Sequence, residues 1–134
     1  MRIPVFASLL FALASMSANA ATSITIDAKQ NCIQNAITPG ASFGNSATFQ
    51  LAPGRYVMSL SPNAMSCGGT ACQIDTVHVL GGMANARWGV AVKQTPIIVD
   101  VAAGAGAANF YGFVTDDNCA DNSGQATLLI QTVN

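Results

Sequence analysis

A short polar loop near the C-terminus contains the residue types best suited to chemistry in this chain. It runs from Asp116 to Gly124 and reads DDNCADNSG. The loop holds three of the six acidic side chains, and the sequence has no glutamate. Carboxylate, amide and backbone oxygens at this density are typical of Ca²⁺ sites, in which six to eight oxygens surround the ion. The loop is therefore the first candidate for a functional site.

Two further interpretations of this loop follow from general rules. An EF-hand that starts at Asp116 would need a polar residue at Ala120 and a glutamate at its last position, so an EF-hand is excluded. Asp, Asn, Ser and Gly also form turns through their own local hydrogen bonds, without any ion. The density of oxygens alone leaves a calcium loop and a plain turn as equal alternatives.

Candidate catalytic groups are sparse in this sequence. The single histidine, His78, lies in a strand-like run, and no G-x-S-x-G motif surrounds a serine. Nucleophilic catalysis needs a base beside its nucleophile. Asp116, Asp117 and Asp121 are so close in sequence that they suit one ion better than the two sides of a glycosidic bond. We therefore predict that the protein is not an enzyme.

The elements that must position this loop are short runs of β-branched and aromatic residues, separated by Gly, Pro, Asn and Ser. Several runs alternate between apolar and polar residues, as half-buried strands do. No segment after the N-terminal apolar run has a helical period with caps. The pattern predicts an all-β, antiparallel β-sandwich of about eight strands. The predicted strands span 23–27, 46–51, 55–60, 73–80, 86–93, 96–101, 109–115 and 125–133.

The N-terminus has the pattern of a secretory signal peptide. Arg2 precedes an apolar run over 3–16, and an A-x-A cleavage pattern follows at 18–20. The run is shorter than the ~20 apolar residues that a membrane span needs. We predict a signal peptide over 1–20, one domain over 21–134, and a secreted or periplasmic protein without a membrane span in its mature chain.

The four cysteines are interpreted first as two disulfides, because exported proteins fold in oxidising compartments. A zinc site is less well supported, since only Cys67 and Cys72 are closely spaced and the chain has one histidine. Of the three pairings we favour Cys67 with Cys72, which flank a Gly-Gly-Thr turn, and Cys32 with Cys119. The second pair would tie the polar loop to the N-terminal part of the domain.

Charge excludes one class of partner. The formal net charge is −1, and the 5 Lys and Arg residues are scattered singly. Nucleic-acid binding needs a cluster of basic side chains, so we predict no nucleic-acid partner. A homo-oligomer is compatible with the sequence.

Three motifs together resemble a known family. The most specific is Asp116 followed by DNSG at 121–124 and a closing alternating strand. The others are the C-x₄-C pair of Cys67 and Cys72 before a long strand, and SLSP at 59–62. Over the C-terminal two-thirds of the mature chain, this pattern is similar to the small galactophilic bacterial lectins, the PA-I-like lectin family.

The resemblance implies a jelly-roll, galactose-binding-like fold and a Ca²⁺ ion that takes two sugar hydroxyls. The implied metal ligands are Asp116, Asp117, Asp121, Asn122 and the carbonyl of Leu60 or its neighbour Ser61. The implied sugar-binding residues are Asp116, Asn118, Asp121 and Asn122. The chain departs from the family in having Asp121 where the family has asparagine, in a shorter loop, and in lacking the histidine and glutamine that contact sugar there.

The sequence thus predicts a calcium-dependent, lectin-like carbohydrate-binding domain, with Trp88 and Tyr111 as candidates for stacking on a sugar ring. The alternation of its strand equally allows Trp88 to be a core residue. The alternative is a structural or adhesion module in which calcium or the disulfides only stabilise the loop.

Overall fold

The structure is a computed structural model that describes residues 21–34, 44–83, 85–104 and 106–133. The predicted signal peptide, 1–20, lies outside these residues. Within the described ranges the chain forms strands and no helix, so no helix there is long and apolar enough to cross a membrane. The strands are β1 (Thr22–Asp27), β2 (Cys32–Gln34), β3 (Ala47–Leu51), β4 (Gly54–Leu60), β5 (Ser66–Cys67), β6 (Val77–Met83), β7 (Ala86–Val92), β8 (Ile97–Val101), β9 (Ala108–Asp116), β10 (Asn122–Ser123) and β11 (Gln125–Val133).

Two sheets form the sandwich. One has the order β1-β11-β4-β8, and the other has the order β2-β9-β6-β7. Strand β3 also pairs with β9, along the half of β9 that β2 does not reach. Each sheet combines strands from early and late parts of the chain, which is the arrangement of a double-sheet jelly roll. The predicted all-β sandwich is confirmed.

The core lies between the two sheets and follows the alternation of the strands. On β11 the residues Ala126, Leu128 and Ile130 are buried, while Gln125 and Gln131 are exposed. Burying each large apolar side chain contributes roughly 1.5 to 3 kcal/mol. The side chains of this core belong to Ile26, Phe49, Leu51, Tyr56, Met58, Leu60, Met65, Val77, Val79, Val92, Val99, Val101, Phe110, Val114, Leu128 and Ile130.

Trp88 packs against the edge of this core. Its ring centroid lies 5.0 Å from that of Phe110, and its Nε1–H donates a hydrogen bond of 3.0 Å to the carbonyl of Asp100. Both contacts hold the indole in place between the sheets. Tyr111, the other predicted stacking residue, is 42% exposed on the outer face of β9.

All eight predicted strands are present, but one begins later than predicted. The prediction of 73–80 is wrong at its start, because β6 begins at Val77. The N–H of Ile74 instead donates 2.9 Å to the carbonyl of Met65, and Asp75 binds Lys93 at 2.9 Å. These residues therefore connect loops before the chain enters the sheet.

Three short strands were not predicted. β2 has 3 residues, and β5 and β10 have 2 each, too few to show an alternating pattern. β2 also pairs with β9 in parallel, which is an exception to the predicted antiparallel arrangement. Each of the three contains a disulfide-bonded cysteine or lies beside one. The cross-links therefore stabilise strands that are too short to be stable through their own pairing.

Candidate functional site

The jelly roll brings the polar loop to one end of the sandwich, which we call the disulfide end. Both disulfides lie there: the Cα atoms of Cys32 and Cys119 are 5.7 Å apart, and those of Cys67 and Cys72 are 5.2 Å apart. The predicted pairing is confirmed. The disulfide end consists of the loops 28–31, 61–76, 93–96 and 117–124.

The polar loop and the loop of the short disulfide form one unit. β10 pairs with β5, which places Asn122 opposite Cys67, and the hydroxyls of Ser123 and Ser66 are 3.0 Å apart. Gly68 has a φ of +80°, and a Cβ there would lie 2.9 Å from the carboxylate of Asp121. The positive φ favours glycine where the two loops touch.

Asp116 ends β9 and makes a turn with one of its two carboxylate oxygens. Its Oδ1 accepts the backbone N–H of Asp117 at 2.7 Å and approaches that of Asn118 at 3.5 Å. This is the local bonding that aspartate makes in turns. Its Oδ2 is buried and has no hydrogen-bond partner among the described residues. One carboxylate oxygen is thus used by the turn and the other is left over.

Asn122 is 4% exposed and is the one buried polar side chain within the described ranges. Its Nδ2 donates 3.0 Å to the carbonyl of Ala28 and lies 3.4 Å from the sulfur of Cys32. Because a carbonyl accepts only from the NH₂ group, the orientation of the amide is determined. Its Oδ1 then faces the other way, buried and without a partner among the described residues.

A buried oxygen without a partner costs about 1 to 3 kcal/mol. Asp116 and Asn122 carry two such oxygens, and the sequence predicted both residues as metal ligands. This donor set fits Ca²⁺, since a carboxylate oxygen and an amide oxygen are ligands that the ion takes. The sequence does not show that these two oxygens lack partners. That depends on the burial of both atoms and on the hydrogen bond between Asn122 and Ala28, which only the fold determines.

The other predicted loop residues are exposed and bonded within the loop. The Nδ2 of Asn118 donates 3.0 Å to Asp121, and its Oδ1 accepts the N–H of Ala120 at 3.3 Å. The carbonyl of Asp117 accepts from the side chain of Gln34 at 2.9 Å. These bonds support the loop as a turn.

Leu60 ends β4 at the disulfide end, with its side chain in the core. Its N–H donates 2.8 Å to the carbonyl of Lys93, and the N–H of Ser61 donates 2.9 Å to that of Thr127. The described residues contain no group of three or more His, Cys, Asp or Glu side chains arranged to hold a metal. As these side chains stand, a metal site here would therefore combine at most two carboxylates with amide and backbone oxygens.

A cavity of about 540 Å³ opens beside the polar loop. Its lining includes Ser123, Ser66 and Thr70, together with Cys72 of the short disulfide. Cavities of roughly 300 to 1,000 Å³ hold small ligands. The disulfide end thus offers a space of suitable size next to Ser123, and its described lining includes none of the predicted metal ligands.

His78 lies on the outer face of β6, next to the start of this strand. Its ring stacks on Phe113 with centroids 5.7 Å apart, and its Nε2 is 3.5 Å from the hydroxyl of Thr115. The contact with Thr115 is at the limit for a hydrogen bond.

Asp27 anchors the loop 28–31 on which Asn122 rests. Its Oδ2 accepts from the side chain of Gln125 at 3.0 Å, and its Oδ1 accepts the N–H groups of Gln30 and Lys29. The bond from Gln125, followed by that from Gln30, holds the pKa of Asp27 below its ordinary value of 3.8. These bonds stabilise the ionised carboxylate and with it the loop.

In comparisons with known proteins, no protein-family model, no curated protein and no solved structure matches this chain.

Proposed function

We propose that this protein is an exported, calcium-dependent carbohydrate-binding domain whose metal site lies in the polar loop at the disulfide end. The observation that carries the proposal is the pair of buried, unpartnered oxygens, Oδ2 of Asp116 and Oδ1 of Asn122. In this proposal a single cation binds both oxygens. The resemblance of this loop to that of the PA-I-like lectins supports the same residues.

The remaining ligands in this proposal come from the same end of the sandwich. The carboxylates of Asp117 and Asp121, which the structure does not group with that of Asp116, would turn to the ion. The end of β4 would add the carbonyl of Leu60 or Ser61. The side chain of Asn118, which now bonds to Asp121, would be free to contact a ligand once Asp121 turned to the ion. Two disulfides and the β5–β10 pairing hold the loop in place, so less ordering accompanies binding.

Ca²⁺ held in this way would offer its open coordination positions to neighbouring hydroxyls of a sugar. The cavity beside Ser123 supports this half of the proposal, since it gives a small saccharide room next to the loop. The hydroxyls of Ser66 and Ser123 line it and can exchange hydrogen bonds with those of a sugar. Export is supported by the two disulfides, which persist in oxidising compartments.

The test is binding to an array of neutral glycans, in calcium and in EDTA. We expect a glycan signal in calcium that disappears in EDTA and in the variant Asp116→Asn, which keeps the shape of the side chain and removes its charge. Asp100→Asn, on the outer face of β8, is the matched control and should keep the signal. A signal on neutral glycans that EDTA leaves unchanged would contradict the proposal.

A second function is favoured by the hydrogen bonds within the loop. Asp121 bonds to Asn118, and Asn122 ties the loop to Ala28, so an ion here could act only as a further cross-link in a structural or adhesion module. This function predicts that EDTA lowers the melting temperature while no glycan signal appears under either condition. The two measurements together separate the two functions.

A further inference from the structure

A second pocket lies on the outer face of the other sheet, away from the polar loop. Its volume is about 750 Å³, and strands β6, β7 and β9 line it. Gly82 and Gly89 are part of its lining, and the side chain of Leu80 lies over Gly89. Leu80 and Tyr111, which pair across β6 and β9, are 46% and 42% exposed and form an apolar wall. We call this the outer pocket.

The lining of the outer pocket depends on glycine at one position. Gly82 has a φ of +115°, which side chains rarely adopt, and a Cβ there would overlap the carbonyl oxygen of Ala86. The backbone conformation at Gly82 thus leaves no room for a side chain. In the pairing of β6 with β7, Gly82 lies opposite Arg87.

The polar groups of the outer pocket are mainly hydrogen-bond donors. Arg87 is exposed, and the ion pairs within the described ranges, Arg55 with Asp100 and Lys93 with Asp75, do not include it. On the opposite side, Oδ1 of Asn109 accepts 3.0 Å from Gln50, which leaves the NH₂ of Asn109 to donate elsewhere. A guanidinium without a carboxylate matches an anionic ligand.

The spacing of these groups suits a sugar ring. Arg87 is on β7 and Asn109 is on β9, with β6 between them. Two strand spacings place their backbones about 10 Å apart. Tyr111, two residues after Asn109 on the same face of β9, has a ring that can stack on the apolar side of a sugar. The amide pair of Asn109 and Gln50 presents both a donor and an acceptor, which is what a hydroxyl requires.

From this arrangement we propose that the outer pocket binds a carboxylate-bearing saccharide, such as a uronate unit, without calcium. Arg87 takes the carboxylate in a two-pronged contact, Tyr111 stacks on the ring, and Asn109 with Gln50 binds its hydroxyls. The outer pocket has no carboxylate in its lining that could hold an ion. This site is therefore independent of the calcium site of the polar loop.

The test is calorimetric titration, in EDTA, with a trimer of galacturonic acid and with the neutral trimer of galactose. We expect the acidic trimer to bind and the neutral trimer to bind at least tenfold more weakly. Arg87→Gln should lower the affinity for the acidic trimer at least tenfold, and Tyr111→Ala should lower the affinity for both trimers. The matched control is Arg55→Gln, which removes an exposed arginine from the other sheet and should leave binding unchanged.

Melting temperatures equal to that of the wild type show that the variants are folded. The variant Asp116→Asn separates this site from the polar loop, since it should bind the acidic trimer in EDTA as the wild type does. No heat from the acidic trimer at millimolar concentration, equal affinity for the neutral trimer, or full affinity in Arg87→Gln would overturn the proposal. So would loss of binding in Asp116→Asn.

Discussion

The two ends of this sandwich are stabilised in different ways. The disulfide end carries both cross-links, a two-stranded extra sheet and buried polar oxygens. The opposite end, which we call the glycine end, includes the ends of β3 and β6 and the starts of β4, β7 and β9, and no described disulfide reaches it. Glycines with positive φ occur at both ends, but at the glycine end Gly82 holds its backbone conformation without a nearby cross-link.

The polar loop and the outer pocket use different structural features of the same sandwich. At the disulfide end, two disulfides hold the polar loop in a conformation that buries one oxygen of Asp116 and one of Asn122 without a described partner. Burying such oxygens costs free energy, so local hydrogen bonds alone would not favour this conformation. The outer face carries a pocket whose guanidinium, that of Arg87, forms no ion pair with the described residues. The same jelly roll thus supports two chemically distinct candidate sites.

The largest effect should come from cutting the long cross-link. Replacing Cys32 and Cys119 with serine releases a loop with a sequence separation of 87, and loop entropy predicts a loss of about 4 to 5 kcal/mol in unfolding free energy. Replacing Cys67 and Cys72, separated by 5, should cost about 2 kcal/mol by the same relation. Urea unfolding of both double variants measures the difference. Equal losses would show that the two cross-links do not act through chain entropy.

A smaller effect should come from the glycine end. Gly82→Ala should lower the unfolding free energy by about 1 to 3 kcal/mol through backbone strain, with a further loss from the overlap with Ala86. Gly69→Ala, at the disulfide end, is the matched control: its φ is +139°, but nothing lies within 4 Å of its Cβ. We expect Gly82→Ala to be the more destabilising in urea unfolding. The reverse order would contradict the close approach at Gly82.

The smallest effect is a pH dependence present at both ends. The pKa of Asp27 is lowered chiefly by the hydrogen bond from Gln125, and that of Asp100 chiefly by the bond from Arg55. A lowered pKa means that the ionised carboxylate stabilises the fold above its ordinary pKa of 3.8, and that this contribution is lost as pH falls through the folded-state pKa. In the variants Asp27→Asn and Asp100→Asn, the unfolding free energy should fall less steeply than in the wild type as the pH drops below about 4.

Salt distinguishes the two acids. Arg55 and Asp100 form an exposed ion pair, which about 1 M salt screens strongly, whereas Asp27 is held mainly by neutral donors. Urea unfolding as a function of pH, at low and high salt, should show a salt effect on Asp100→Asn relative to the wild type and little on Asp27→Asn. The same salt effect on both variants would contradict these assigned causes.

The long strands were predictable because each buries one face, and alternation records that burial directly. The pairing of Cys32 with Cys119 was also predictable, since few cysteines were available. By contrast, β2, β5 and β10 are too short to show a period, and their pairing depends on cross-links and on neighbouring strands. The start of β6 was predicted too early because residues 73–76 have strand-like composition but bond to loops.

The candidate site was predictable in its residue types and not in its contacts. Acidic and amide residues marked the polar loop in the sequence. The orphaned oxygens of Asp116 and Asn122 depend on which neighbours the fold supplies, above all the carbonyl of Ala28. The outer pocket has no sequence motif, since Arg87, Tyr111 and Asn109 come from separate strands and meet only through the order of the sheet.

The most direct measurement is calorimetric titration of the folded domain, residues 21–134, with calcium chloride, for the wild type and for Asp116→Asn. We expect saturable binding of one ion by the wild type, at least tenfold weaker binding by Asp116→Asn, and unchanged binding by the control Asp100→Asn. Absence of binding by the wild type at millimolar calcium would contradict the metal site, as would equal affinity in Asp116→Asn.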